Sequence, residues 1–362
     1  MTTNTSTRGK MALFIGCAVL MAVAPFVIGS VLGNSWVRIV DFALLYIMLA
    51  LGLNIVVGFA GLLDMGYIAF YAVGAYTYAL LSSPQFGLHL PFYVTIPLGA
   101  ICAACFGLLL GTPVLRLKGD YLAIVTLGFG EIIRIFMNNL NQPINITNGP
   151  QGVNLIDPIH LGDVTLGKTM QIGSLNLPVV YLHYYLFLIL SVLVVILASR
   201  LQHSRIGRAW VALREDDIAA ASMGINIRNI KLLAFALGAL SGGVAGGLFA
   251  SFQGFISPES FGLMESIMIL AMVVLGGMGH IPGVVLGAVV LTVAPEILRD
   301  TIGPLQMNTF GRMIVDPENA RQLLFGLALV VMMLVRPAGM WPSKRRALEF
   351  SDAKAKARAQ KG

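Results

Sequence analysis

Long apolar runs alternate with short polar breaks along most of this chain. The first run, residues 11–33, carries no charge. At 1.5 Å per residue a helix of that length reaches about 34 Å, enough to cross the roughly 30 Å hydrocarbon core of a bilayer. Arg8 and Lys10 ahead of it also suit a signal peptide, but its length and the lack of a clear A-x-A site favour a retained helix. Further spans read at about 39–58, 67–83, 91–113, 121–137, 179–199, 232–252, 264–280, 283–298 and 322–337. The pattern predicts an all-α polytopic membrane protein with about ten transmembrane helices.

Three places break the pattern. Phe59-Ala-Gly-Leu-Leu-Asp-Met-Gly66 separates two spans and is too apolar for an ordinary loop, so part of it is expected to be re-entrant or a broken helix end. Such backbone is tolerated at membrane depth only when buried in protein or lining a cavity. The turn at His280-Ile-Pro282 is equally tight. The third break runs from Arg200 to Lys231 and holds Arg200, Arg205, Arg208, Arg214, Arg228 and Lys231, with three consecutive acids, Glu215, Asp216 and Asp217. Those acids open Glu215-Asp-Asp-Ile-Ala-Ala-Ala-Ser-Met-Gly224, which reads as one short capped helix. Acids favour a helix N-terminus, alanines its body, and glycine its C-terminal stop. A short helix with a small-residue surface suits docking against another protein.

Composition agrees with a membrane location. Hydrophobic residues make up 57% of the 362 and charged ones only 11%, against about 25% charged in soluble domains. The net charge of +7 does not point to nucleic acid, because the basic residues flank apolar spans. With the N-terminus inside, 18 of the 24 lysines and arginines fall in inner segments. Five (Arg38, Lys168, Arg299, Arg312 and Arg321) fall in outer segments, and Arg134 lies within a span. The positive-inside rule then places both termini and the 200–231 loop in the cytoplasm. The expected organisation is a cytoplasmic tail at 1–10, a single transmembrane domain over 11–340 and a basic cytoplasmic tail at 341–362. Within the domain, residues 138–178 form a long outer loop rich in Asn, Gly and Pro. Docking of an external partner and simple solvent exposure fit that loop equally well.

The chemistry-bearing residues are few. Cys102-Ala-Ala-Cys105 lies mid-span, far from any redox context, and reads as packing. Asp41, Glu265 and Glu296 sit near outer span ends, where solvation or a snorkelling partner accounts for them. Glu131/Arg134 and Glu296/Arg299 are three residues apart and read as self-neutralising pairs. His183, among Tyr181, Tyr184 and Tyr185, reads as a packing residue. Asp64 lies among Gly58, Gly61 and Gly66, with Asn54 one to two turns earlier. Both suit a translocation cavity, and Asp64 suits an interfacial helix end equally well. Repeated G-x-x-x-G spacings, as in Gly238/Gly242/Gly246 and Gly283/Gly287, predict close helix crossings. No G-x-S-x-G or H-E-x-x-H sequence occurs, so catalysis is not expected of this chain.

Several blocks resemble one family. Glu215–Gly224 is similar to the cytoplasmic EAA-type loop of ABC importer permeases, with Gly224 matching its glycine. Asp216-Asp217 directly after the glutamate departs from that pattern toward the branched-chain amino acid branch. Ala50-Leu-Gly-Leu-Asn-Ile-Val-Val-Gly-Phe-Ala-Gly61, Gly119-Asp-Tyr-Leu-Ala-Ile-Val-Thr-Leu127, and Val274-Leu-Gly-Gly-Met-Gly279 with Pro282-Gly283 agree with it. The likeness covers about residues 40–340 and is strongest to the LivM-type branch. It implies a type II importer permease fold in a bacterial inner membrane, with a second related permease, two cytoplasmic ATPases that use ATP and Mg, and a periplasmic binding protein. This chain would bind no cofactor and would carry Leu, Ile or Val. The resemblance also implies a coupling helix at about 214–225, comprising Arg214, Glu215, Asp216, Asp217, Ala219, Ala220, Ala221 and Gly224, that fits a cleft of the ATPase. The alternative is a secondary, ion-coupled transporter of a small polar solute, which predicts inverted repeats and coupling carboxylates inside the membrane.

Overall fold

The computed structural model describes residues 20–115, 117, 119–161, 164–172 and 175–310, with 323, 326–327, 330–331, 334–335 and 339–341. The N-terminal tail, Cys17, most of the span read at 322–337 and the tail beyond 341 lie outside the described residues. Besides helical residues at 323, 326–327, 330–331 and 334–335, eleven α-helices are traced among those described. They are α1 (Leu20–Val31), α2 (Asn34–Leu53), α3 (Ile68–Leu81), α4 (Phe92–Val114), α5 (Asp120–Asn139), α6 (Val179–Gln202), α7 (Arg205–Glu215), α8 (Asp217–Ser222), α9 (Ile227–Gln253), α10 (Leu263–Gly276) and α11 (Ile281–Phe310).

Among the described residues, six helical stretches are long and apolar enough to cross a membrane: Asn34–Phe59, Phe92–Val114, Val179–Gln202, Ile227–Gln253, Pro258–Gly276 and Ile281–Thr301. Leu20–Val31 and Ile68–Leu81 are shorter apolar helices. α3 is short because the chain before it, from Ala60 to Tyr67, is not helical. Large apolar side chains stay exposed on α1 (Val27, Val31), α4 (Ile101, Leu109), α5 (Ile124, Ile132) and α6 (Ile189, Leu193). That belt suits lipid, since soluble monomers rarely expose apolar surface so widely.

α2 and α9 form the centre. α9 packs most extensively on α4 and α3, and α2 on α11, α6 and α9. Glycine explains how closely they approach. A Cβ added to Gly243 on α9 would lie 2.6 Å from the Ala103 Cβ and 2.8 Å from the Gly99 carbonyl oxygen of α4. One on Gly246 would lie 2.7 Å from the Ala75 backbone nitrogen of α3. Polar bonds stitch the same crossings. Tyr67 donates to the Gly238 carbonyl at 3.0 Å, and Ser241 to the Met48 carbonyl at 2.7 Å.

The segment read as a loop at 138–178 differs from the all-α expectation. It holds β1 (Val153–Asn154), β2 (His160–Leu161), β3 (Val164–Thr165), β4 (Met170–Ile172) and β5 (Leu175–Leu177). β2 pairs with β3 and β4 with β5 as small antiparallel ribbons. β1 pairs with β6 (Phe255–Ile256), just past α9, with Val153 opposite Ile256. Strands of two or three residues leave no hydrophobic periodicity to read, so composition alone marked this segment as a loop.

Candidate functional site

Two irregular regions meet at one end of the bundle: the break between α2 and α3, and the α7–α8 elbow. At the break, α2 passes into a π-helical turn over Asn54–Phe59. Its ladder is stretched, with the Ala60 N–H on the Ile55 carbonyl at 3.2 Å and the Leu62 N–H on the Val56 carbonyl at 3.0 Å. Single π turns inside helices often mark functional sites. The non-helical chain at 60–67 follows, so the apolar gap read at 59–66 is indeed a broken helix.

Asn54 and Asp64 are both fully buried but engage different partners. The Asn54 Oδ1 accepts the Gly279 N–H at 2.8 Å, fixing the π turn to the connection between α10 and α11. The Asp64 Oδ1 accepts the Gly66 N–H at 2.9 Å, and its Oδ2 has no partner among the described residues. The Met65 backbone between them is held from two sides: its N–H donates to Thr126 on α5, and Ser266 on α10 donates to its carbonyl. The Ala50–Gly61, Gly119–Leu127 and Val274–Gly279 blocks are distant in sequence but converge on this break. Thr126, Ser266 and Gln202, which donates to the Gly279 carbonyl at 3.3 Å, had no sequence signal of their own.

The elbow corrects the sequence reading of a single helix across Glu215–Gly224. Arg214 and Glu215 form the last turn of α7, and Asp216, at φ −158° and ψ 115°, breaks the chain before α8 begins at Asp217. Glu215 therefore sits at a helix C-terminus, where the dipole does not favour an acid, while Asp216 and Asp217 do occupy an N-terminus. The Asp216 Oδ1 accepts the N–H groups of Ile218 at 2.8 Å and Ala219 at 3.1 Å, as an N-cap should. At the other end the Gly224 N–H meets the Ala221 carbonyl and the Ile225 N–H meets the Ala220 carbonyl, with Gly224 at φ +82°. This is a Schellman stop, and glycine adopts its left-handed turn without strain. Ala220 is buried against the bundle, whereas Ala219, Ala221, Ile218 and Met223 face outward, the last two 73% and 84% exposed.

α7 also touches the break directly. The Arg214 Nη1 donates to the Gly58 carbonyl at 2.6 Å. Trp210, fully buried, stacks on Phe59 at 6.5 Å and donates its indole N–H to the Ile230 carbonyl of α9 at 2.9 Å. A cavity of about 310 Å³ lies between the two regions, lined by Ala60, Gly61, Leu62, Leu117, Gly119, Leu122, Leu213–Asp217 and Lys231. Lys231 belongs to α9 and is only 5% exposed, so the polar stretch ends inside the fold rather than in a loop.

The remaining ionisable residues divide. Glu131 and Arg134 pair at 2.9 Å, with Glu259 also on Arg134 at 3.4 Å, and Glu296 pairs with Arg299 at 3.2 Å. Glu265 accepts from the Tyr46 hydroxyl at 2.9 Å. His183 packs against Phe187 and Phe252 and bonds the Val179 carbonyl through Nδ1. Asp41 departs from the expectation of a solvated end: it is fully buried, and neither carboxylate oxygen has a partner among the described residues.

Residues 35–334 match the family described as branched-chain amino acid transport system / permease component. The chain is 42% identical over 361 residues to the high-affinity branched-chain amino acid transport system permease protein LivM of Escherichia coli (strain K12), covering 96% of this chain and 79% of that protein. It is 24% identical over 300 residues to the permease protein LivH of the same organism, covering 82% and 90%. It is 25% identical over 302 residues to the permease protein BraD of Pseudomonas aeruginosa, covering 82% and 91%. No solved structure gives a significant match.

Proposed function

Because this chain belongs to the family of branched-chain amino acid transport permease components, we propose that it is the membrane subunit that carries leucine, isoleucine and valine through an ATP-driven importer. Identity of 42% across nearly the whole chain is the observation that carries this reading. The chain spans the bacterial inner membrane about ten times with both termini inside, as its basic residues suggest. It pairs with a second, related permease. Likeness to both LivM and LivH of one organism supports two related subunits. ATP and Mg are used by two cytoplasmic ATPases, and a periplasmic binding protein delivers the solute.

α8 is the docking element. Asp216 and Gly224 hold its two ends, while Ile218, Ala219, Ala221 and Met223 offer an apolar, small-residue face. Asp217 and Glu215 flank that face, and Ala220 seats the helix on the bundle. The solute path runs by the break carrying Asn54 and Asp64, both of them fully buried. Leucine uptake by vesicles holding the complete complex tests the reading. Uptake should need ATP and the binding protein; uptake that persists without ATP, driven by an ion gradient, would make the chain a secondary transporter instead.

A further inference from the structure

We propose that Arg214 is a positioning residue for transport, passing movement of the α7–α8 elbow into the π-helical turn at Asn54–Phe59; this rests on the permease reading above. The Gly58 carbonyl is where the helical ladder of α2 has run out. Leu62, four residues on and its regular α-helical donor, gives its N–H to Val56 instead. Arg214 takes that acceptor at 2.6 Å. A guanidinium–carbonyl bond is charge-assisted and stronger than the neutral bonds around it, so the carbonyl follows the arginine.

The surroundings leave room for that reach. A Cβ on Gly61, at φ +72°, would lie 2.6 Å from the Arg214 Cγ. A Cβ on Gly279, at φ +83°, would lie 3.1 Å from the Gly58 carbonyl oxygen and 3.3 Å from the Arg214 Nη1. The same turn is held on its other side by Asn54 on Gly279, and Phe59 rests on Trp210 of α7. One helical end thus grips the π turn by two side chains, one turn apart, and runs directly into the cap of α8. A π turn holds one residue more than the α-helix it interrupts, and its rewinding would carry the Gly58 carbonyl away from Arg214.

Arg214 is itself exposed along part of its length, so a contact with an ATPase is the rival role. The two separate in the reconstituted complex of permeases, ATPases and binding protein, with leucine as the probe. Arg214→Gln should retain the ATPase subunits on purification and hydrolyse ATP within about twofold of the unaltered complex, while leucine carried per ATP falls about tenfold or more, as for loss of a charged hydrogen bond. Arg214→Lys should recover part of that loss, since it keeps the charge but not the planar fork. Unchanged leucine per ATP, or loss of the ATPase subunits from the purified complex, overturns the proposal. If Arg214→Gln does not accumulate, Gly279→Ala crowds the same guanidinium and carbonyl with the charge retained, and the same uncoupling is expected. An unaltered complex that takes up no leucine with ATP rejects the permease reading itself.

Discussion

Glycine serves opposite purposes at the α3–α4–α9 crossings and at the break between α2 and α3. At the crossings it lets backbone lie against backbone: Gly243 faces Gly99 and Ala103, and Gly246 faces Ala75. Such contacts are many, short-ranged and non-directional, and none can be exchanged without separating the helices. At the break, Gly58, Gly61 and Gly279 clear space for single polar bonds, from Arg214 to Gly58 and from Gly279 to Asn54. Those bonds are few and directional, so a small displacement can trade one for another. The first region is built as a body, and on the proposal made for Arg214 the second serves as a joint.

Three substitutions test that division, in decreasing order of effect. Gly243→Val forces a branched side chain against Ala103 and the Gly99 carbonyl. Overpacking of this kind costs about 1–3 kcal/mol, and more where the opposing atom is backbone. The variant should accumulate poorly in membranes and unfold at lower temperature; normal accumulation and thermal stability would remove the claim that the crossing is rigid. Gly224→Val attacks the elbow. A left-handed turn costs an L residue about 1–2 kcal/mol, and β-branched residues more. Membrane insertion should be unaffected while ATP-driven leucine uptake is lost, and normal uptake would detach α8 from coupling. Asp216→Ala removes only the cap, worth about 0.5–2 kcal/mol of helix stability. Uptake should fall several-fold and return with Asp216→Asn or Asp216→Ser, which restore the capping oxygen. A loss that those variants do not repair would assign Asp216 to a partner contact.

Much of this was legible because its physics is local. The apolar runs foretold α2, α4, α6 and α9 within a few residues at most ends, since a helix in lipid must be apolar along its length. Glycine spacing foretold the crossings, and the i, i+3 pairs Glu131/Arg134 and Glu296/Arg299 formed as read. The elbow was half legible. Its stop was visible in Gly224 and its start in the run of acids, but which acid caps it and where the backbone breaks were not, because an acid between a glutamate and an aspartate fits a helix N-terminus in any register. Arg214 and Glu215 were consequently assigned to the wrong helix.

The amino-acid sequence by itself determined that this is a many-helix membrane protein, that its chain breaks after Phe59, and that a capped helix precedes Gly224. Those follow from hydrophobicity, dipole and backbone preferences acting over a few residues. Only the tertiary structure decided what the break is fastened to. Arg214 and Gly58 are 156 residues apart and Asn54 and Gly279 are 225 apart, and no local pattern specifies a bond between a side chain and a distant backbone group. The acceptor is a peptide carbonyl or amide present at every residue, so it becomes a particular partner only once packing has brought that one turn within reach.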